Sequence, residues 1–410
     1  MPSELLIRPG MNDHKAIGDL LAPGGSTVLM RGGRPAISRL VVEAQLAPRR
    51  PEFARAAQAA GIPLLVDPLT PLLQGQLRVE DAWAQLPFGQ PFAVDLELLT
   101  NRHFQTRLAT DVIDFQLEMG ATGVIAPYLY FTGPDDPRFE ANLHFFRLAR
   151  QVLDRRNLNI PLVGVVCAQA KTFGSPRSRH EGIEMTMSAV IREGVDVLAY
   201  ALSPSGGPDD SYNKIHTLID VGREFARAGV PTWAWRQGIY GEALVSAGLS
   251  GYETGIGTRE RTDIAGSIAR RKPSRKKSKG GGGGSGVFLE PIGRSLPVPV
   301  ARALLADLRT RAKIMCDDES CCPNGVASTL DHSREHAIRT RARMLAEIDN
   351  VPEITWRFHR LANHSSQAAT LVRQANDVLA REGLSTRLNP QNMDALARVA
   401  EHFVTLEGAA

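Results

Sequence analysis

The chain has 410 residues, of which 43% are hydrophobic, 22% charged and only 6% aromatic. This balance excludes a disordered, collagen-like or coiled-coil protein, and the length suits two or three ordinary domains or one large α/β barrel with an appendage. The net charge of +4 is a local matter: Arg270–Lys279 holds seven Lys or Arg and no acid, and subtracting those seven leaves −3 for the remainder.

The opening MPSELLIRPGMNDHKAIGDLL lacks the basic start and uninterrupted apolar stretch of a secretory signal, since Pro9 and Gly10 break it early. No window approaches the apolar length of a membrane span, so no membrane partner is expected and the protein is expected to be cytoplasmic. From residue 27 to 260, short β-rich apolar runs alternate with helical patterns. The expected strands are Thr27–Arg31, Ile37–Ala44, Leu64–Asp67, Gly123–Tyr128, Leu162–Cys167, Val195–Ala201, Thr232–Arg236 and Gly251–Gly255. Between them, Glu52–Ala60, Phe104–Met119, Glu140–Asn157, Glu181–Glu193 and Tyr212–Ala228 read as helices, several stopped by a glycine before the next strand. Continuous apolar strands suit burial on both faces, and about eight β/α units point to a (β/α)₈ TIM barrel over residues 1–265. An open doubly wound sheet is the alternative, but no Gly-rich phosphate fingerprint follows any strand. Residues 266–295 pass through the basic run into a polyglycine stretch and read as a flexible segment. Residues 296–410 read as a small α-helical subdomain that opens on a cysteine cluster.

Barrel chemistry gathers where strands end, so the polar residues there come first. Asp67 closes LLVD, Glu253 lies in GYETGIGTR, and Asp95 in FAVDLELL is a reserve candidate. A carboxylate closing an apolar strand loses hydration, which prepares a general acid or base. Asp67 alone fits a turn cap equally well, and Glu253 alone fits a salt bridge to Arg236 or Arg259. Cys316, Cys321 and Cys322 lie within seven positions, and in a chain with no export signal such a group reads as metal ligation. A histidine among His332, His336, His359 and His364 would complete a tetrahedral, closed and therefore structural Zn²⁺ site. The basic run Arg270, Arg271, Lys272, Arg275, Lys276, Lys277 and Lys279 reads either as a solvated loop or as a binder of nucleic-acid phosphates.

Taken together these residues resemble the tRNA-guanine transglycosylases and their DNA-modifying relatives. The family's CDCxxC zinc motif is similar to Cys316-Asp317-Asp318-Glu319-Ser320-Cys321, with Asp318 in place of the middle cysteine and Cys322 beside it. Its FDCxxPTR strand is similar to Tyr252–Arg259, which puts Glu253 on the nucleophile position and keeps Arg259. By order, Asp67 matches the acid/base aspartate, and GVVCAQ and LAYALS stand where the base-reading segments lie.

The resemblance implies a barrel with a zinc subdomain that replaces guanine in DNA by a 7-deazaguanine, 7-cyano-7-deazaguanine, through a covalent carboxylate intermediate. A tRNA enzyme of altered specificity and an inactive nucleic-acid-binding relative are the alternatives. It implies substrate contacts at Tyr128, Cys167, Gln169, Tyr200 and Arg259, and a metal held by Cys316, Cys321, Cys322 and His364 (with His359 the other choice). DNA, or tRNA in its place, a deazaguanine base and accessory proteins of a DNA-modification system are the implied partners.

Overall fold

The computed structural model describes residues 2–22, 29–30, 34–75, 82–257, 260–270 and 286–408. Its parallel strands are β1 (Glu4–Arg8), β4 (Arg39–Glu43), β5 (Leu64–Asp67), the short pair β6 (Val124–Ile125) and β7 (Tyr130–Phe131), β8 (Leu162–Gln169), β9 (Val197–Ser203), β10 (Thr232–Ala234) and β11 (Gly251–Gly255). Between β1 and β4, β2 (Leu29–Met30) and β3 (Arg34–Pro35) form a separate antiparallel pair. The parallel neighbours run β5-β4-β1-β11-β10-β9-β8-β6, with β7 also on β8. Spatial order therefore follows chain order around eight positions. At the remaining seam Thr122 N–H donates to the Leu64 carbonyl at 2.9 Å and Leu64 N–H to Thr122 Oγ1 at 2.9 Å. This is a nearly closed parallel barrel.

The expected first strand, Thr27–Arg31, is a correction. Leu29–Met30 lies in the outlying hairpin, and the first barrel strand is Glu4–Arg8, which pairs β11 on one side and β4 on the other. ELLIR is only five residues between prolines, so its apolar run is shorter than the one that drew attention.

The outer layer holds α1 (His14–Leu21), α2 (Glu52–Ala59), α3 (Leu96–Thr100), α4 (Arg102–Glu118), α5 (Pro137–Arg155), α6 (Pro176–Arg192), α7 (Tyr212–Arg227) and α8 (Gly241–Ser246). Two carry plain start signals: Asp136 and Ser175 cap α5 and α6 and each is followed by proline at the first helical turn. After β11 comes α9 (Ile264–Arg270), whose Ile264 enters the barrel's interior cluster beside Trp235 and Cys167. Ile264 N–H donates to Ser203 Oγ at 2.8 Å, and Ser205 bridges Thr262, so α9 roofs the C-terminal end of the barrel.

The hairpin β12 (Gly286–Leu289) and β13 (Arg294–Pro297) then leads to α10 (Val298–Ala306), α11 (Leu308–Ile314), α12 (Val326–Asp331), α13 (Ser333–Asp349), α14 (Ile354–Arg381) and α15 (Gln391–Gly408). Val287, Leu296, Leu304, Val372 and Leu379 share a satellite core. Ile338, Leu345, Phe358, Val399 and Phe403 instead join the main core with Leu5, Leu20, Phe225 and Tyr252. The barrel thus does not end at 265, nor does a separate helical unit begin at 296. The satellite starts at Gly286, and α13, the first half of α14 and α15 complete the barrel's outer layer. Arg341 of α13 pins the two parts, reaching Glu260 at 2.6 Å, Glu242 at 3.0 Å and the Gly238 carbonyl at 3.0 Å from over the Phe288 ring. No helix of the described residues is long and apolar enough to cross a membrane.

Candidate active site

Strand alternation decides which side chains meet inside. Leu6, Val41, Leu65 and Trp233 belong to the interior cluster, whereas Leu5, Leu40, Leu64 and Tyr252 pack outward against the helices. Two residues further along each inward row stand Arg8, Glu43, Asp67 and Trp235, and Glu253 follows outward-facing Tyr252. The interior therefore changes from aliphatic to charged at the C-terminal ends of the strands, where barrel chemistry sits.

Arg8 is the hub. Its Nε lies 2.5 Å from Glu253 Oε1, and its Nη2 lies 2.8 Å from both Glu253 Oε2 and Asp67 Oδ2. Asp67 Oδ1 accepts from Tyr128 Oη at 2.8 Å and from Leu69 N–H at 3.0 Å, whereas Oδ2 makes no in-line hydrogen bond among the described residues. Glu253 Oε2 also accepts from the Arg236 backbone N–H at 3.2 Å, and the Arg236 side chain reaches Glu43 at 2.7 Å. Arg236 holds φ at +59°, a left-handed conformation that costs a non-glycine residue free energy and is common where function fixes a side chain.

Asp67 and Glu253 are both fully buried and Arg8 nearly so. Burial opposes the charge on Arg8, but Glu253 and Asp67 outweigh it and hold the pKa well above the ordinary guanidinium value. Burial beside Asp67 pushes the Tyr128 phenol well up, and burial pushes the Cys167 thiol up to about 12. Tyr128 is thus a neutral donor and Cys167 an un-ionised lining residue.

Of the expected site residues, Asp67, Glu253 and Tyr128 converge, and Cys167 lines the same interior. Gln169 has the inward parity of Cys167 and sits half-buried at the end of β8. Two expectations fail. Tyr200 has the opposite parity from inward Ala199 and Ala201, packs in the outer core and hydrogen-bonds to the Leu218 carbonyl. Asp95 is an exposed cap of α3 that accepts from Leu98 N–H at 2.7 Å. Arg259 and the basic positions 271–279 lie outside the described residues, as does the side chain of Arg270. Arg8 and Glu43 were not singled out from the sequence, although inward parity at a strand end marks both once the strands are known; Arg236, expected as a salt-bridge partner of Glu253, sends its side chain to Glu43 and meets Glu253 through its backbone N–H. A cavity of about 450 Å³ opens at the other, N-terminal end of the barrel, where Arg39 and Glu4 pair with one another at 2.8 Å. It lies away from the charged layer.

The second cluster sits between α11 and α13. One ligand atom from each of Cys316, Cys321, Cys322 and His336 lies within 4.8 Å of the others, a group able to hold a metal ion. Asp318 builds the turn: its carbonyl accepts from Cys321 and Cys322 N–H at 3.0 and 2.8 Å, and its side chain from Ser320 N–H at 2.9 Å. The residue in the middle-cysteine position is therefore a scaffold, and Cys322 supplies the third sulfur.

His336 Nε2 bonds the Phe288 carbonyl at 2.9 Å, which leaves Nδ1, 3.4 Å from Cys321 Sγ and from Cys322 Sγ, as the nitrogen that faces the sulfurs and could ligate a metal. Hydrogen bonds from Cys321 and Cys322 drive the Cys316 thiol far below its ordinary range, and hydrogen bonding to Cys316 and Cys322 pushes Cys321 far above. A metal ion binds such a set as thiolates and displaces their protons. His364, the expected fourth ligand, instead bonds the Glu290 carbonyl at 3.0 Å, and His359 stacks near Trp356 with ring centroids 5.2 Å apart.

No family model matches the chain, and no curated protein matches it. Among solved structures, it is similar to a putative lyase/mutase from Burkholderia cenocepacia J2315, 14% identical with a TM-score of 0.36, over 62% of this chain and 78% of that one. The carboxyl transferase domain from Rhizobium etli pyruvate carboxylase is 11% identical with a TM-score of 0.37. That match covers 99% of this chain, which spans 61% of the domain structure. A glycerol uptake operon antiterminator-related protein from Thermotoga maritima MSB8 is 13% identical with a TM-score of 0.29, over 62% of this chain and 95% of that one. Likenesses this distant carry no argument about chemistry.

Proposed function

We propose that this chain is a base-exchange transglycosylase that replaces guanine in DNA with 7-cyano-7-deazaguanine. Glu253 is the nucleophile, Asp67 the acid and base, and Cys316, Cys321, Cys322 and His336 hold a structural Zn²⁺. The observation that carries this reading is the meeting of Glu253 and Asp67, from distant strands, on one guanidinium at the chemical end of the barrel. The Glu253 carboxylate attacks C1′ of the nucleotide, the C1′–N9 bond breaks toward the base, and guanine takes the Asp67 proton. The incoming base gives its proton back to Asp67 and attacks C1′, releasing the Glu253 carboxylate.

Arg8 suits this exchange. When Glu253 becomes an ester it loses its charge, and Asp67 gains one in the same step. A cation held by both keeps the local charge constant throughout. Three thiolates and an imidazole with no open position fit a closed tetrahedral zinc site, which supplies a fixed crosslink for the insert and takes no part in the chemistry.

The test is nucleoside mass spectrometry after incubating DNA or tRNA with the protein and the labelled deazaguanine. Label is expected in DNA, and Glu253→Gln is expected to lower it at least about 1,000-fold while metal content stays the same. Label only in tRNA overturns the DNA assignment. One observation favours a second reading, a nucleic-acid-binding relative without activity: Arg8 pairs with both acids, and all three side chains are buried. Absence of label from both substrates would establish it in place of the first.

A further inference from the structure

Asp67 and Glu253 are completely buried, and so are Trp235 and Cys167 in the same interior. No incoming carbon can touch a carboxylate so enclosed, so an element over the charged layer has to move. The N-terminal side is filled by the interior row Leu6, Val41, Leu65 and Trp233. Entry is therefore from the C-terminal end, and the element lying across that end is α9.

The segment is held unevenly along its length. Just before α9, buried Glu260 accepts from Arg341 Nη2 at 2.6 Å and from Ser295 Oγ at 2.8 Å, a fixed point. Beyond it the contacts are of another kind. Thr262 and Ser205 exchange backbone hydrogen bonds at 2.8 and 3.0 Å, and Thr262 Oγ1 donates to the Arg236 carbonyl. Ile264 N–H donates to Ser203 Oγ at 2.8 Å, and its side chain packs into the interior with half-buried Ala265 and Ile268. At its far end α9 rests on the turn after β5, where a Cβ added to Gly75 would stand 2.5 Å from the Ile268 carbonyl oxygen. So α9 crosses the mouth from the ends of β9 and β10 to the turn that follows Asp67. A seven-residue helix held by neutral hydrogen bonds and one apolar face can open locally while the barrel stays folded.

We propose that α9 is a lid, shut over the charged layer in the free chain, that swings on Glu260 to admit the substrate. This concerns access to the pair read above as the reacting centre and rests on that reading. Shut again over a bound nucleotide, α9 keeps water from the Glu253 ester, which would otherwise be hydrolysed before the new base attacked. Closing also touches the nucleophile, because the Arg236 carbonyl accepts from Thr262 while its N–H donates to Glu253.

Cys167 shares the interior with Ile264 and reports the opening. The full, metal-loaded chain is treated with N-ethylmaleimide in urea below its unfolding transition, and modification of the Cys167 peptide is followed by mass spectrometry. The rate is expected to change little with urea, the sign of an opening that exposes little surface. In Gly75→Ala, whose methyl group props up the far end of α9, it is expected to rise about tenfold or more. If that variant fails to fold, Ile264→Val serves instead, with a rise of about threefold expected. Labelling that follows global unfolding in urea, or an unchanged rate in the folded variant, would overturn the lid.

The two readings fail separately. Base exchange in a chain whose Cys167 reacts only through global unfolding sinks the lid alone. Local opening at Cys167 without any exchange sinks the transglycosylase reading and leaves a lidded barrel.

Discussion

The charged layer at the barrel mouth and the thiol cluster behind α13 both bury groups that water would otherwise hold, yet they balance their charge differently. At the mouth, Arg8 and Arg236 stand among Glu43, Asp67 and Glu253, so counter-charges come from within the chain. Around His336, three sulfurs face one imidazole with no Lys or Arg in the set, a group that could take its counter-charge from a metal ion. A self-balanced cluster keeps its shape in the free protein and can lend a carboxylate to chemistry. A cluster able to close around an ion can serve as a clamp.

The largest effect should come from removing the clamp. Cys321→Ser is expected to abolish stoichiometric metal in elemental analysis and to lower Tm by about 10 °C, since metal binding to such a set is folding free energy. Metal retained at one equivalent would break the contrast. Next comes the hub of the mouth. Arg8→Met strands two buried carboxylates and is expected to cost about 3–5 kcal/mol in denaturant unfolding, with metal content unchanged. A neutral effect on stability would mean that the acids are hydrated, not balanced by Arg8. The smallest effect separates Asp95 from Asp67. Asp95→Ala removes a surface helix cap, expected to cost about 1 kcal/mol or less in thermal unfolding and to leave base exchange intact. Lost exchange in this variant would restore it as a chemical residue.

How much of this was legible in the sequence follows from the range of each signal. The barrel could be read because parallel strands buried on both faces are continuous apolar runs, and glycines such as Gly120 and Gly194, both at positive φ, mark where helices stop. Asp67 and Glu253 could be read as acids closing such runs. Arg8 could not, because its strand is short and went unrecognised, and an arginine after apolar residues looks like surface until its parity is known. Tyr200 was placed by order along the chain, which carries no information on which side of a strand it faces. The three cysteines are close in sequence and declare themselves. Their histidine does not: His336, His359 and His364 differ only in how α13 and α14 pack, and what singles out His336 is the carbonyl of Phe288, 48 positions away. The domain boundary failed for a related reason, since α13 and α15 bury their apolar faces against barrel elements hundreds of residues earlier.

The most direct test of the central claim is to trap the covalent intermediate. The full chain incubated with DNA and then denatured should carry a protein–DNA adduct, and peptide mapping should place it on Glu253. Glu253→Gln should carry none. An adduct on another residue, or one that persists in Glu253→Gln, would contradict the assignment of the buried pair on Arg8 as the reacting centre.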